Sequence, residues 1–266
     1  MSTTSVIPKL WADGPWPLLS TPEAEGEDIN SHFSIYIATD MCHVHNIFIR
    51  AMNSIYLQAP FARTPTDIAD LLFYTKTLVT TISAHHDSEE KYFFPDLATY
   101  TQNPNIMAVN EAQHAVFHAG LDTLGEYCST APTDFSYDTF KSIIDSFAPA
   151  LFKHLSDEIP SLLVALKDLS SAELRRIWAR TEKHATDVGS YDEMFPLIFG
   201  CIDRGFEGGR HKFPPVPGFV NWVVGYWFAR KYRSAWRFNP CDMWGNPREL
   251  VFLPKGKGEG KGEGKG

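Results

Sequence analysis

The chain has 266 residues, is 44% apolar and 14% aromatic, and carries a net charge of −8. That length suits one large domain or two small ones with a sizeable core, and the acidic balance excludes the usual nucleic-acid binders, which need a dominant basic face. Four dispersed cysteines, Cys42, Cys128, Cys201 and Cys241, have no CxxC spacing, so neither a zinc ribbon nor a dense disulfide framework is expected.

Residues 1–30 are rich in Pro, Gly and acid and predict an irregular arm. The opening MSTTSVIPKLWADGPWPLL lacks a basic segment followed by a long apolar run, so no signal peptide is expected. The longest apolar stretch, near VNWVVGYWFA, is about half of what spans a bilayer. A soluble protein in a reduced, cytoplasmic setting, without a membrane span, is the expectation. Four segments with helical periodicity follow, at 31–58, 66–100, 104–129 and 135–168. They are separated at Ala59-Pro60, at Asn103-Pro104 and around Ala131-Pro132-Thr133-Asp134. Nothing alternates like a strand. Short loops between long helices predict an all-α fold, an antiparallel four-helix bundle over 31–168. A further helix at 171–186 belongs to a mostly helical and irregular extension, 169–254, expected to pack on the bundle. The low-complexity KGKGEGKGEGKG, 255–266, has nothing to bury and is expected to be disordered.

The chemistry gathers on the bundle segments. In the second, HHDSEEKYFFPDL offers two His/Glu pairs four apart, His85/Glu89 and His86/Glu90. Residues four apart on a helix stack one turn above the other and can reach one ion. The stripe Leu71, Thr75, Leu78, Ile82, His85, Glu89, Tyr92 alternates spacings of four and three and predicts the inward face. The competing stripe contains Lys76 and Ser83, so His86 and Glu90 are expected towards the edge, as outer partners, and His86→Ala should matter less than His85→Ala. In the fourth segment, Phe140, Ile144, Phe147, Leu151, His154 and Glu158 form the apolar stripe. The third carries His114 and His118 above Leu121. In the first, His45 falls with Ala38, Cys42, Ile49, Met52 and Tyr56, whereas His43 falls with Asp40 and Arg50.

A single HxxxE or HxxxH is ordinary on a solvated helix, and one histidine on an apolar face is ordinary in a core. Five inward histidines and two inward glutamates on four helices are not, because burying them unpaired costs several kcal/mol each. Imidazole and carboxylate together suit iron, zinc, manganese or copper, and seven ligands imply two ions.

The order His45, His85-His86-Asp87-Ser88-Glu89-Glu90 with Phe93-Phe94-Pro95, His114-Ala115-Val116-Phe117-His118 and His154-Leu155-Ser156-Asp157-Glu158 resembles the hemerythrin-like (HHE cation-binding) domains over about 31–168. HNIFIRAMNSIYLQAP resembles fungal members, and FNPCDMWGNPREL extends that likeness. The resemblance implies a non-haem di-iron centre. One iron would be held by His114, His118 and His154, and the other by His45 and His85, with Glu89 and Glu158 bridging. The animal oxygen carriers place an aspartate five residues after the last histidine. Here that position is Ile159, and Glu158 at four serves instead, as in the broader branch, which argues against reversible oxygen transport.

The extension adds Phe219, Trp222, Tyr226, Trp227, Phe228, Tyr232, Trp236 and Phe238. They suit either a substrate pocket at one end of the bundle or a cover for apolar helix surface. Arg230, Lys231, Arg233 and Arg237 interleave with them as an anion-binding or a solvated face. GFEGGR lacks the lysine and spacing of a phosphate loop and reads as a turn. Three functions remain open: a di-iron protein that binds dioxygen, a di-iron oxidase or oxygenase acting on a small organic molecule in fungal secondary metabolism, and a metal-free helical interaction module.

Overall fold

In the computed structural model, residues 11–131, 134–185 and 190–254 are described; the KGKGEG tail and Pro132-Thr133 lie outside them. Helix α1, Phe33–Gln58, begins where the His32 ring accepts the Ser34 amide. Helix α2, Pro65–Ser88, begins at Thr64, whose hydroxyl accepts from the Asp67 amide, with a proline at its first position, where no N–H is needed. It runs through a π-helical turn, Glu89–Phe93, into α3, Phe94–Thr101. Helices α4, Ala108–Thr130, and α5, Tyr137–Leu166, follow, the latter capped by Ser136 and continuous through Pro149 and Pro160. Beyond them come α6, Ser171–Ala185, α7, Tyr191–Gly200, and α8, Phe219–Tyr226. The described residues contain no strand beyond one isolated bridge, Cys241 to Pro247.

The helical segments fall where periodicity places them, with one difference. The second is not one regular helix. Pro95 has no N–H for the Lys91 carbonyl and its ring crowds that carbonyl, so the preceding turn widens. The Phe94 amide accordingly reaches back five residues, to the Glu89 carbonyl. Side chains after Glu89 are therefore rotated from the regular register. Tyr92, expected inward, lies partly exposed and stacks on His184 of α6 at 3.9 Å, while Phe93 and Phe94 are buried.

Helices α1, α2, α4 and α5 pack in a ring, each against the next. Their pairings run antiparallel. Tyr56 meets Asp145 while His45 meets Leu155, and Tyr127 meets Phe140 while Gln113 meets Asp157. At Gly120, α4 and α5 come so close that an added Cβ would stand 2.5 Å from Phe147 Cβ. The core divides into two clusters. One is built on Phe48, Leu71, Leu78, Phe117, Phe140 and Leu151, the other on Ile37, Met41, Phe93, Leu97, Leu162 and Trp178. The second cluster includes Leu174 and Ile177 of α6, which closes that end of the bundle.

Helix α1 is buried nearly all round because the remaining chain wraps it. Asn46 bonds the Leu19 backbone, and Asn53 donates to the Ala12 and Trp16 carbonyls while accepting the Trp16 amide. Ser54 and Gln58 donate to the Phe238 carbonyl, and Arg50 to that of Cys201. GFEGGR forms a turn with left-handed backbone at Glu207, Gly208 and Gly209, and Glu207 accepts from the Thr21 amide and hydroxyl. Trp236 and Phe238 of the extension are buried against the bundle, whereas Phe219, Trp222, Tyr226 and Trp227 are exposed. Removing Asn53 strands three backbone groups, so Asn53→Ala should lower stability by about 2 kcal/mol in urea unfolding and expose residues 11–20 to proteolysis. A loss below about 0.5 kcal/mol would show that these bonds do not hold the arm.

Candidate metal centre

Between the two core clusters lies a polar layer. Helix α1 contributes His45, the end of α2 His85 and His86, the π turn Glu89, α4 His114, and α5 His154 and Glu158. The side chains form two sets whose ligand atoms lie within 4.8 Å of one another: His86, Glu89, His114 and His154, and His45, His85, Glu89 and Glu158. Glu89 belongs to both. Glu158 also reaches both, with Oε2 at 3.3 Å from His45 Nε2 and 3.7 Å from His154 Nε2. All are buried except His85, whose side chain is 13% exposed.

Hydrogen bonds behind the rings fix their tautomers. His45 Nδ1 is 2.8 Å from the Leu155 carbonyl, which can only accept, so the proton sits on Nδ1 and Nε2 presents a lone pair. His114 Nδ1 donates in the same way to Glu90 Oε1 at 2.7 Å, and His154 Nδ1 to Gln113 Oε1 at 3.2 Å. Gln113 is itself oriented by its amide bond to Asp157. The consequence is electrostatic. His114 Nε2 and His154 Nε2 face each other lone pair to lone pair at 3.1 Å, and His45 Nε2 faces Glu158 Oε2. Such contacts repel unless a cation stands between them. Two imidazole nitrogens sharing one ion at about 2.1 Å, near right angles, are about 3 Å apart, so the observed spacing fits.

Six buried atoms in this layer lack a hydrogen-bond partner: both ring nitrogens of His86 and both oxygens of Glu89 and of Glu158. Burial and the neighbouring imidazoles hold His86 far below the usual histidine range. Burial takes His85 down to about 4 and His154 to about 3, despite the opposing charge of Glu158. These rings are neutral at neutral pH, the form that ligates metal. Burial, then the charge of Glu158, pushes the Glu89 carboxyl well above the usual carboxylate range. The donors are those of a cation site, and the orphaned atoms fit one.

Two of the expected positions are corrected. His86, expected at the edge, is fully buried between His114 and His154, with ring centroids 4.4 and 5.0 Å away. His118, expected as a ligand, is partly exposed and joins neither set; its nitrogen gathers only with His114 and Glu90. The physical reason is a second stripe on α2. Leu72, Thr75, Val79, Ile82, His86, Glu89 and Phe93 also alternate three and four and are all buried, so both His85 and His86 flank Glu89. That alternation was visible in the sequence. Glu90 lies at the exposed edge and orients His114. Gln113, which orients His154, has no motif to announce it.

The family model for the hemerythrin HHE cation binding domain matches residues 38–163. A protein of Cryptosporiopsis sp. (strain 8999), called a dimeric xanthone biosynthesis cluster protein, is 68% identical over 256 residues, covering 96% of this chain and 97% of that one. No solved structure matches.

His86→Ala should lower bound metal at least as much as His85→Ala, whereas His118→Ala should retain most of it, as read by elemental analysis of folded protein. Retention in His86→Ala with loss in His118→Ala would reverse the assignment. Loading should also weaken as pH falls from about 7 towards 5. A carboxyl raised above its ordinary value takes up a proton in that window and competes with metal, while His85 and His154, pulled down, compete only near 4 and below. Chelator competition across that range reads the effect.

Proposed function

Since this chain belongs to the hemerythrin HHE cation-binding family, we propose that its two buried ligand sets hold a non-haem pair of iron ions that binds dioxygen. In this reading His86, His114 and His154 hold one ion and His45 and His85 the other. Glu89 and Glu158 are the carboxylates placed to serve both. His86 thus stands in for His118 in the ligand set that the family resemblance implies. The observation that carries the reading is the facing of proton-free imidazole nitrogens at 3.1 Å beside six unpartnered buried atoms. The same observation opposes a metal-free interaction module, in which each of those groups would be an uncompensated cost.

A reduced iron pair supplies the electrons that dioxygen accepts. The chain supplies the surroundings. Phe48 packs on His45 and His85, Phe94 on His114, and Phe117 on His86 and His154, so the walls are apolar and keep water out. His85, the exposed ligand, marks the side a small molecule would reach first. Enclosure of this kind suits a diatomic ligand better than an organic substrate. The four cysteines are free and buried, which suits the reduced cytoplasm assigned to this protein.

A second reading has its own support. The relative's printed name ties that protein to xanthone biosynthesis, which favours a di-iron oxidase or oxygenase acting on a small organic molecule. Metal analysis with absorption spectroscopy, on protein reduced anaerobically and then exposed to air, separates the two. Two irons per chain with a long-lived oxygen adduct are expected. A rapidly lost adduct, with faster loss on adding a phenolic substrate, would move the assignment to the oxidase. Less than about half an iron per chain after reconstitution would overturn both readings.

A further inference from the structure

At the other end of α2 the extension forms a cavity of about 600 Å³, within the size range of small-molecule sites. Its place follows from Arg237, which lines it and bonds Asp67 and Asp70 in the first turns of α2. Sixteen residues of helix separate Asp70 from His86, roughly 24 Å, so the cavity is not an antechamber of the metal layer.

Its lining is cationic in a chain of net charge −8. Arg230, Arg233, Arg237 and Arg248 line it with a single acid, Asp242. That acid is already engaged by the Trp244 and Asn246 amides and the Asn246 side chain. Arg237 is neutralised by its two aspartates, and Arg248 is bonded to the Asn239 and Trp236 carbonyls. Arg230 and Arg233 are exposed and make no ion pair among the described residues. The walls are aromatic. Tyr226 and Trp244 meet at 5.7 Å, and Trp236, 4% exposed, has an indole N–H with no acceptor.

We infer that this cavity is a second ligand site, which takes a planar aromatic acid as its carboxylate. Each lining feature needs one part of such a molecule. The two free guanidiniums need a negative charge, the Trp236 N–H needs an acceptor, and the tyrosine and tryptophan faces need a flat ring. A bare oxyanion leaves the rings unused, and a neutral hydrocarbon leaves three donors unmet. The inference does not rest on the iron assignment.

Isothermal titration of the full chain with anthraquinone-2-carboxylate, its methyl ester and inorganic phosphate tests it. The acid should bind one per chain and saturably, with the ester about tenfold weaker or worse and phosphate not competing. The double variant Arg230→Glu/Arg233→Glu, at exposed positions that leave the fold intact by circular dichroism, should lose at least the same factor while keeping its iron. His86→Ala should lose iron and keep the acid. No saturable binding, equal binding of ester and acid, displacement by phosphate, or an unchanged double variant would each overturn the site.

Discussion

Two imidazole nitrogens stripped of their protons face each other across 3.1 Å of buried space, and much of the structure serves to keep them there. Each ring is turned inward by a bond on its far side, from a carbonyl, a carboxylate or an amide oxygen. Without a cation such a layer is a defect, with uncompensated polar groups costing several kcal/mol each. With one, it ties four helices together across the middle of the bundle. The hydrophobic core accommodates this by splitting in two, one cluster on each side of the layer. The close approach of α4 and α5 at Gly120 brings His114 and His154 within reach of a common ion, and α6 covers the end nearest the ligands.

The π turn is the second constraint. A regular helix offers Glu89 one neighbour at four residues on its face. Widening the chain just past His85-His86 lets two adjacent histidines flank one glutamate while Phe93 and Phe94 close the apolar floor. Wide turns of this kind are costly and are found disproportionately at functional sites. Here Pro95 accounts for it locally, because no regular turn can satisfy the Lys91 carbonyl.

The four bundle helices were legible because their stripes are long and their breaks carry prolines; α5 buries Phe140 through Glu158 as its spacing required. Five of the gathered histidines and glutamates, His45, Glu89, His114, His154 and Glu158, were likewise expected and are brought together. The errors cluster where periodicity is degenerate. Two stripes through Ile82 and Glu89 both alternate three and four, and a one-residue choice moved His85 and His86 to opposite fates. Tyr92 failed because the pattern assumed an unbroken α register. His118 failed because a four-residue spacing says that two side chains can meet, not that both will turn inward. The hydrogen bonds made by Gln113 and the Leu155 carbonyl join partners more than 40 residues apart and leave no local trace.

The wrapping of α1 has a consequence for what counts as a unit of this protein. The inherited module, 38–163, begins inside α1 and ends inside α5. Its α1 carries Asn46, Arg50, Asn53, Ser54 and Gln58 on the side away from the ligands, each bonded to backbone from outside that module. The arm and the extension have become structural walls of the module they flank. Excised from them, the helix would show water a seam of half-matched amides beside bare Ile47 and Ile55, a surface that invites association. What evolution passes on as a domain and what folds as a body therefore have different borders in this chain.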